Sequence, residues 1–309
     1  ALEPGCICEY LNDEIKINNN SYFSYKNKKI SLKKNIINIT SSLRNAVNKR
    51  IKKSKGNISF GLSGGIDSRI LLSLVEKNNL NKIRTHTIGD DMTYEKIIAN
   101  QVSKIVKTKH SEISVPKSEY YKHAEKAFKI GSFNSVFKNG IKTKYYNAIK
   151  KKDQSKYFMF ANALDVLIAS SFSDKKLVSI KNNKKFITWY KKKYLLFDNK
   201  EINNLFNLNK KFLDKNINES LEKIISKINF NRDYVNLNDS LTFETRIKRW
   251  HNFSLAQQSR ISNFLIPTYD KNFLKHCSNI HSKYRLEDFF RKELLKFNNP
   301  KLAEIETAD

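Results

Sequence analysis

The chain has 309 residues, 39% of them hydrophobic, with 20 Phe and 14 Tyr. That is enough for one large domain or two ordinary ones around a sizeable core. Eight Gly and four Pro exclude a collagen-like or low-complexity chain, no apolar run reaches membrane-spanning length, and no secretory leader is visible.

The formal charge of +28 attracts polyanions, but Lys dominates over Arg and is spread along the chain. Nucleic acid is therefore a partner the charge permits without favouring, and no membrane partner is expected. Three cysteines, Cys6, Cys8 and Cys277, form no disulfide framework and no metal-ligand spacing, so they read as structural thiols. A cytoplasmic protein is the default expectation. The first residue is Ala rather than Met, which leads us to expect a chain trimmed from a longer one.

In chain order, residues 7–30 open with two short strands around an Asn12-Asp13 turn. Residues 31–54 are predicted helical, because Ile36, Ile37, Ile39, Leu43, Val47 and Ile51 recur near a 3.6-residue period and Ser31 can cap the start. The run Asn57 to Leu62 reads as a strand, followed by a Gly-containing loop and a helix bearing Ile70, Leu71, Leu74 and Val75. A second strand spans Ile83 to Ile88 and closes at Gly89-Asp90-Asp91. A second helix runs from Tyr94 to Val106, and a third strand from His110 to Val115. Lys156 to Ala161 reads as a fourth strand, with a loop-helix element over 162–172. This alternation predicts an α/β fold with a doubly wound parallel sheet. After about residue 175 the periodicity is helical and no strand series recurs. The expected organisation is 1–55 as N-terminal strands and helix, 56–175 as the nucleotide-binding α/β core, and 176–309 as a mostly α-helical substrate-side portion.

The segment Ser63-Gly64-Gly65-Ile66-Asp67-Ser68 carries the chemistry. Two glycines are expected to give φ > 0 and let N–H groups approach an anion. The next helix turns its N-terminal N–H groups to the same point, and Ser63 and Ser68 add hydroxyls. Such a cradle at the carboxyl edge of the first strand suits a pyrophosphate. Asp67 would repel phosphate unless a cation lay between, so it implies Mg²⁺. Arg69 either reaches a phosphate oxygen or lies on the helix surface. The spacing is neither a Walker loop nor a dinucleotide fingerprint.

The loop after an apolar strand resembles that of the ATP pyrophosphatase (PP-loop) superfamily, whose fold is adenine nucleotide alpha hydrolase-like and whose members cleave ATP between the α and β phosphates. Within it the chain is most similar to the synthetase domain of glutamine-dependent asparagine synthetase. Thr87-Ile88-Gly89 with Tyr94-Glu95 resembles the second strand-helix unit, where the backbone at Ile88 would face adenine. Pro4-Gly5 resembles the entry to the domain. Ala161-Asn162-Ala163-Leu164-Asp165 falls at the second loop, and Ile266-Pro267-Thr268-Tyr269-Asp270 resembles a late Pro-x-x-Asp element. The resemblance implies ATP and Mg²⁺ as cofactors, Asp67, Asp165 and Arg69 as catalytic residues, and Asp67 and Asp165 as metal ligands. It places the nucleotide against Leu62, Ser63, Gly64, Gly65, Asp67, Ser68, Ile88, Gly89 and Ala161. It also implies a small-molecule or peptide carboxylate substrate.

Departures accompany it. The family's second loop reads Gly-Glu-Gly-Ala-Asp-Glu, whereas here Asn162, Leu164 and Val166 replace Glu, Ala and Glu, and Leu265 stands where an Arg is frequent. The glutaminase domain is not in these residues, so ammonia would come from a separate glutaminase subunit, a removed upstream domain or solvent, unless another amine is used. Lys292 and Lys296 are candidates for a late catalytic lysine, with surface lysines as the plain alternative. The resemblance makes Arg246, Arg249, Trp250 and His251 candidates for the acyl side, with a helix-surface role as the plain alternative. An RNA-modifying PP-loop enzyme and a non-catalytic nucleotide-binding protein are the competing readings.

Overall fold

The computed structural model describes residues 6–19, 23–89, 93–114, 138–195 and 209–307, with a few isolated positions besides. The expectations for Pro4-Gly5, Asp90-Asp91, Val115 and the side chains of Arg249 and Trp250 lie outside the described residues.

Strands β1 (Cys6–Leu11) and β2 (Glu14–Asn19) pair antiparallel as a hairpin. Its turn residues Asn12 and Asp13 both take positive φ, 50° and 62°. That is the backbone a two-residue hairpin turn requires, and Asn and Asp tolerate it best among non-glycine residues. Helix α1 (Leu32–Lys53) begins at Ser31, whose hydroxyl accepts the Lys34 N–H at 3.3 Å. Five of the six residues expected on its apolar face are buried; Ile37 is exposed, because one position after Ile36 the helix has turned it off that face.

The remaining strands form one parallel sheet. β3 (Ile58–Gly61), α2 (Ile66–Ser73), β4 (Ile83–Gly89), α3 (Tyr94–Val106) and β5 (Lys109–Ser114) wind outward in one direction. After α4 (Lys138–Asp153) the chain returns to the other side of β3 with β6 (Tyr157–Met159), and α5 (Leu164–Ala169) follows. The sheet order is β5-β4-β3-β6-β7. The order therefore reverses between β3 and β6, and a ligand crevice is expected outside their carboxyl ends.

The C-terminal portion is mainly helical: α6 (Asn183–Tyr194), α7 (Lys210–Ile225), and α8 (Tyr234–Thr242) running through a π-helical stretch, Phe243–His251, into α9 (Asn252–Gln258). It also supplies β7 (Asn263–Leu265), which pairs with β6. This strand was not expected, because three residues cannot display a period-two pattern. Then come α10 (Lys271–Cys277), α11 (Ser282–Arg285), α12 (Phe289–Asn298) and α13 (Pro300–Ala303). Phe273, Cys277, Phe290, Leu294 and Leu302 share one core with Leu43, Phe60, Ile70 and Leu71. The last helices are thus built into the α/β core and are not a separate layer. Leu177, Phe186, Val235 and Leu237 form a second cluster.

Candidate active site

Loop 62–65 leaves β3 and turns into α2 under local control. The Leu62 N–H donates to the His86 carbonyl at 2.8 Å, and the Thr87 hydroxyl donates to the Leu62 carbonyl at 2.6 Å, which ties the loop to β4. Ser68 Oγ accepts from the Ser63 N–H at 3.3 Å, and the two hydroxyls lie 3.2 Å apart. The Gly65 N–H donates to Ser63 Oγ at 3.2 Å. The serines that were expected to donate to an anion are therefore also the scaffold that shapes the turn.

The glycines act differently from expectation. Gly65, at φ −81° and ψ 162°, is extended, and among described glycines the positive φ belongs to Gly56. The tight position is Gly61, where a Cβ would sit 3.0 Å from the Phe160 ring; one on Gly65 would meet Ser63 Oγ at 3.4 Å, an ordinary contact.

A cavity of about 450 Å³ opens at the carboxyl ends of β3, β4 and β6. Six expected residues line it: Leu62, Ser63, Asp67, Ser68, Ile88 and Ala161. Gly64, Gly65, Gly89 and Asp165 are not in its wall. Residues that sequence reasoning did not assign complete it: Gly61, His86, Thr87, Glu95, Tyr145, Tyr146, Phe160, Asn162, Ser254, Leu255 and Gln258 join His251. Tyr145 and Tyr146 come from α4 and Ser254 to Gln258 from α9, elements that meet only through the fold. Tyr146 donates to Gln258 Oε1 at 2.8 Å, which joins the two walls. His86 is buried, with Nε2 3.2 Å from Asp153 Oδ2. Burial, with His110 and Lys152 adding, pushes its pKa down to about 3, so the ring is neutral and this contact is not an ion pair.

Asp67 stands in the first turn of α2. Burial pushes its pKa up to about 7, opposed by the Arg291 guanidinium and reinforced by the charge of Asp165. Arg291 Nη1 lies 2.9 Å from Asp67 Oδ1, and its Nη2 lies 2.6 Å from Asp288 Oδ1. Arg291 is buried on α12, one residue before Lys292. Lys292 and Lys296 are exposed and line no wall of the cavity. The adjacent Arg was missed because its partner lies 224 positions away.

The expectation for Arg69 is corrected. Its guanidinium neither reaches toward the cavity nor lies on the helix surface. It is buried, donating to the carbonyls of Gly64 (2.7 Å), Ile305 (2.7 Å) and Leu302 (3.3 Å), and to that of Glu306. It binds the chain's last turns to the loop.

The second loop is held by the late Pro-x-x-Asp element. Thr268 Oγ1 donates to the Asn162 carbonyl at 2.6 Å, and Asn162 Nδ2 donates to the Tyr269 hydroxyl at 2.6 Å. Asp270 caps α10 and lies 3.5 Å from Arg50. Ala163, next to Asn162 in this loop, takes φ 58° and ψ 16°. Arg246 packs its guanidinium 4.4 Å from the Phe172 ring centroid.

A match to the asparagine synthase family model covers residues 38–297. The chain belongs to the asparagine synthase family. That places it among ATP-using, amide-forming synthetases with a parallel α/β nucleotide-binding fold. Among solved structures it is similar to an NH3-dependent NAD synthetase from Campylobacter jejuni subsp. jejuni in complex with the nitrate ion, at 14% identity and a TM-score of 0.36. That match covers 70% of this chain and 97% of the other. It is also similar to an NMN synthetase from Francisella tularensis, at 16% identity and a TM-score of 0.34, over 72% and 97%. Both likenesses are too loose to carry a residue-by-residue correspondence. No curated protein matches. Among the described residues no helix is long and apolar enough to cross a membrane, and no group of three or more His, Cys, Asp or Glu gathers as a metal site.

Proposed function

We propose that this chain activates a carboxylate as an acyl-adenylate and transfers the acyl group to ammonia or another amine. The observation that carries the reading is one cavity with two chemically distinct walls. On one side stand Ser63, Asp67 and Ser68 at the start of α2, with Ile88 alongside. On the other stand Asn162, His251, Ser254 and Gln258.

The triphosphate fits the loop side, where hydroxyls, amides and the positive end of α2 converge. Burial raises the pKa of Asp67 and the charge of Asp165 adds to it, against the pull of Arg291, so the two carboxylates are near enough to share a cation. Magnesium held by that pair would neutralise charge on the leaving pyrophosphate. The substrate carboxylate oxygen attacks the α-phosphorus, the bond from that phosphorus to the bridging oxygen breaks, and pyrophosphate leaves. The Ser63 and Ser68 hydroxyls and the amino end of α2 stabilise the departing charge. The amine then attacks the acyl carbon and AMP departs. Asn162 occupies the position of a family glutamate, so Glu95, which lines the same cavity, is the carboxylate placed to take the amine's proton.

ATP–pyrophosphate exchange with a panel of carboxylic acids tests this. Exchange dependent on one acid, lost in Asp67→Ala, is expected. Exchange with no acid, despite ATP binding, would favour a non-catalytic nucleotide-binding protein.

A further inference from the structure

The large sheet sorts charge between its two edges. All five strands run parallel, so their first residues share one edge and their last residues the other. At the carboxyl edge, the segments 62–68, 93–95 and 160–166 contain Asp67, Glu95 and Asp165, and the cations beside them are buried: Arg69 on the Gly64 carbonyl, Arg291 on Asp67, and Lys96. The amino edge is the reverse. Lys107 and Lys109 lead into β5, Lys82 and Arg84 open β4, and Lys53 and Lys55 precede β3. On the other flank, Lys152 and Lys156 precede β6 and Arg260 precedes β7. In the segments 53–57, 81–84, 107–109, 151–156 and 259–263, Asp153 is the one carboxylate, and its Oδ2 is turned to His86. The exposed lysines of these segments thus lie at the amino edge.

The row follows the strand order. At about 4.8 Å between neighbouring strands, five strands extend it over about 19 Å. Lys55, Lys109, Lys152 and Lys156 are exposed. Beneath the β6–β7 end lies a recess of about 560 Å³, lined in part by Gln154, Lys156, Arg260, Ser262 and Asn263 and by no carboxylate. Ser262 is buried there, and its hydroxyl has no hydrogen-bond partner. A buried hydroxyl without a partner is unusual and points to a ligand acceptor.

We propose that this amino edge binds the phosphodiester backbone of a nucleic acid, on the side of the sheet opposite the nucleotide cavity. A run of cations tracks successive phosphates, and the Ser262 recess takes one of them. The recess favours a strand that can enter it over a flat lipid surface. Ile261 is the one apolar side chain in its wall, which leaves little to insert among acyl chains. The surface would tether the enzyme and would not present a substrate to the cavity.

Fluorescence anisotropy with a labelled single-stranded RNA of mixed sequence, titrated across salt, tests this. Lys55→Gln, Lys109→Gln, Lys152→Gln and Lys156→Gln combined should weaken binding at least tenfold at about 0.1 M salt, and lower the slope of log K against log salt by about 3. A control variant with Lys181, Lys184, Lys185 and Lys192 changed to Gln removes the same charge from the region of α6, and should lose less than threefold. Ser262→Ala should weaken binding severalfold with no fall in thermal midpoint, because it removes a hydroxyl without a protein partner. ATP–pyrophosphate exchange should persist in all three. Equal losses in the two lysine variants, failure of the unaltered protein to bind RNA, or tighter binding to phosphatidylserine vesicles than to RNA would overturn the proposal.

Discussion

At the scale of residues, burial and charge compete at Asp67. Burial pushes its pKa up to about 7, while Arg291 at 2.9 Å pulls the other way. A carboxyl raised in the folded state holds its proton better there than in the unfolded chain. Its contribution to stability is therefore full below the ordinary carboxylate range and is lost as pH rises toward 7. The nucleotide-free protein should lose stability over that window, and Asp67→Asn should flatten the profile in denaturant titrations at several pH values. An unchanged slope in the variant would show that Asp67 is not the group responsible. Arg69 shows the limit of reading a motif locally. Its spacing beside the loop suggested phosphate, yet three of the carbonyls it bonds lie more than 230 positions away. Arg69→Met should cost roughly 2–4 kcal/mol, since it leaves buried carbonyls without donors. A midpoint in urea within error of the parent would contradict that role.

At the scale of elements, the loop between β3 and α2 was legible because everything that shapes it is local. The strand, the serines and the helix start lie within twenty residues. Strand β7 was not legible, and neither was the wall built from α4 and α9, because short elements and long-range walls leave no periodic trace. The same holds for α12. Its apolar spacing shows a helix, but nothing in the sequence says that Arg291, and not Lys292 beside it, faces Asp67. The second loop carries a visible strain. Ala163 sits at φ 58°, a conformation that costs a residue with a Cβ about 1 kcal/mol and glycine almost nothing. Ala163→Gly should therefore stabilise the protein by about 0.5–1 kcal/mol, read as a higher thermal midpoint. A lower midpoint would mean that the left-handed residue is held at no cost.

At the scale of the whole molecule, the helical portion and the α/β core are bound by buried polar contacts as well as apolar ones. Arg285 and Asp239 are fully buried and paired at 2.5 Å, with Ser173 donating to Asp239 at 2.8 Å and the Tyr25 ring 3.7 Å from the guanidinium. Breaking such a pair from one side strands a charge, so Arg285→Met should cost about 3–5 kcal/mol. Unfolding of the C-terminal helices ahead of the sheet, followed by hydrogen exchange, would locate the damage. An effect under about 1 kcal/mol would place the pair among surface bridges in its energetics. The excess of lysine was visible in composition. Its sorting to one edge was not, since it depends on every strand being parallel.

The claim beneath all of this is that loop 62–68 grips the diphosphate that ATP releases. A crystal structure with Mg²⁺ and a non-hydrolysable ATP analogue tests it most directly. The β- and γ-phosphates should lie against Ser63 to Ser68, with a cation on Asp67 and Asp165 and the adenine beside Ile88. Phosphates bound elsewhere, with Asp67 still paired to Arg291, would contradict it.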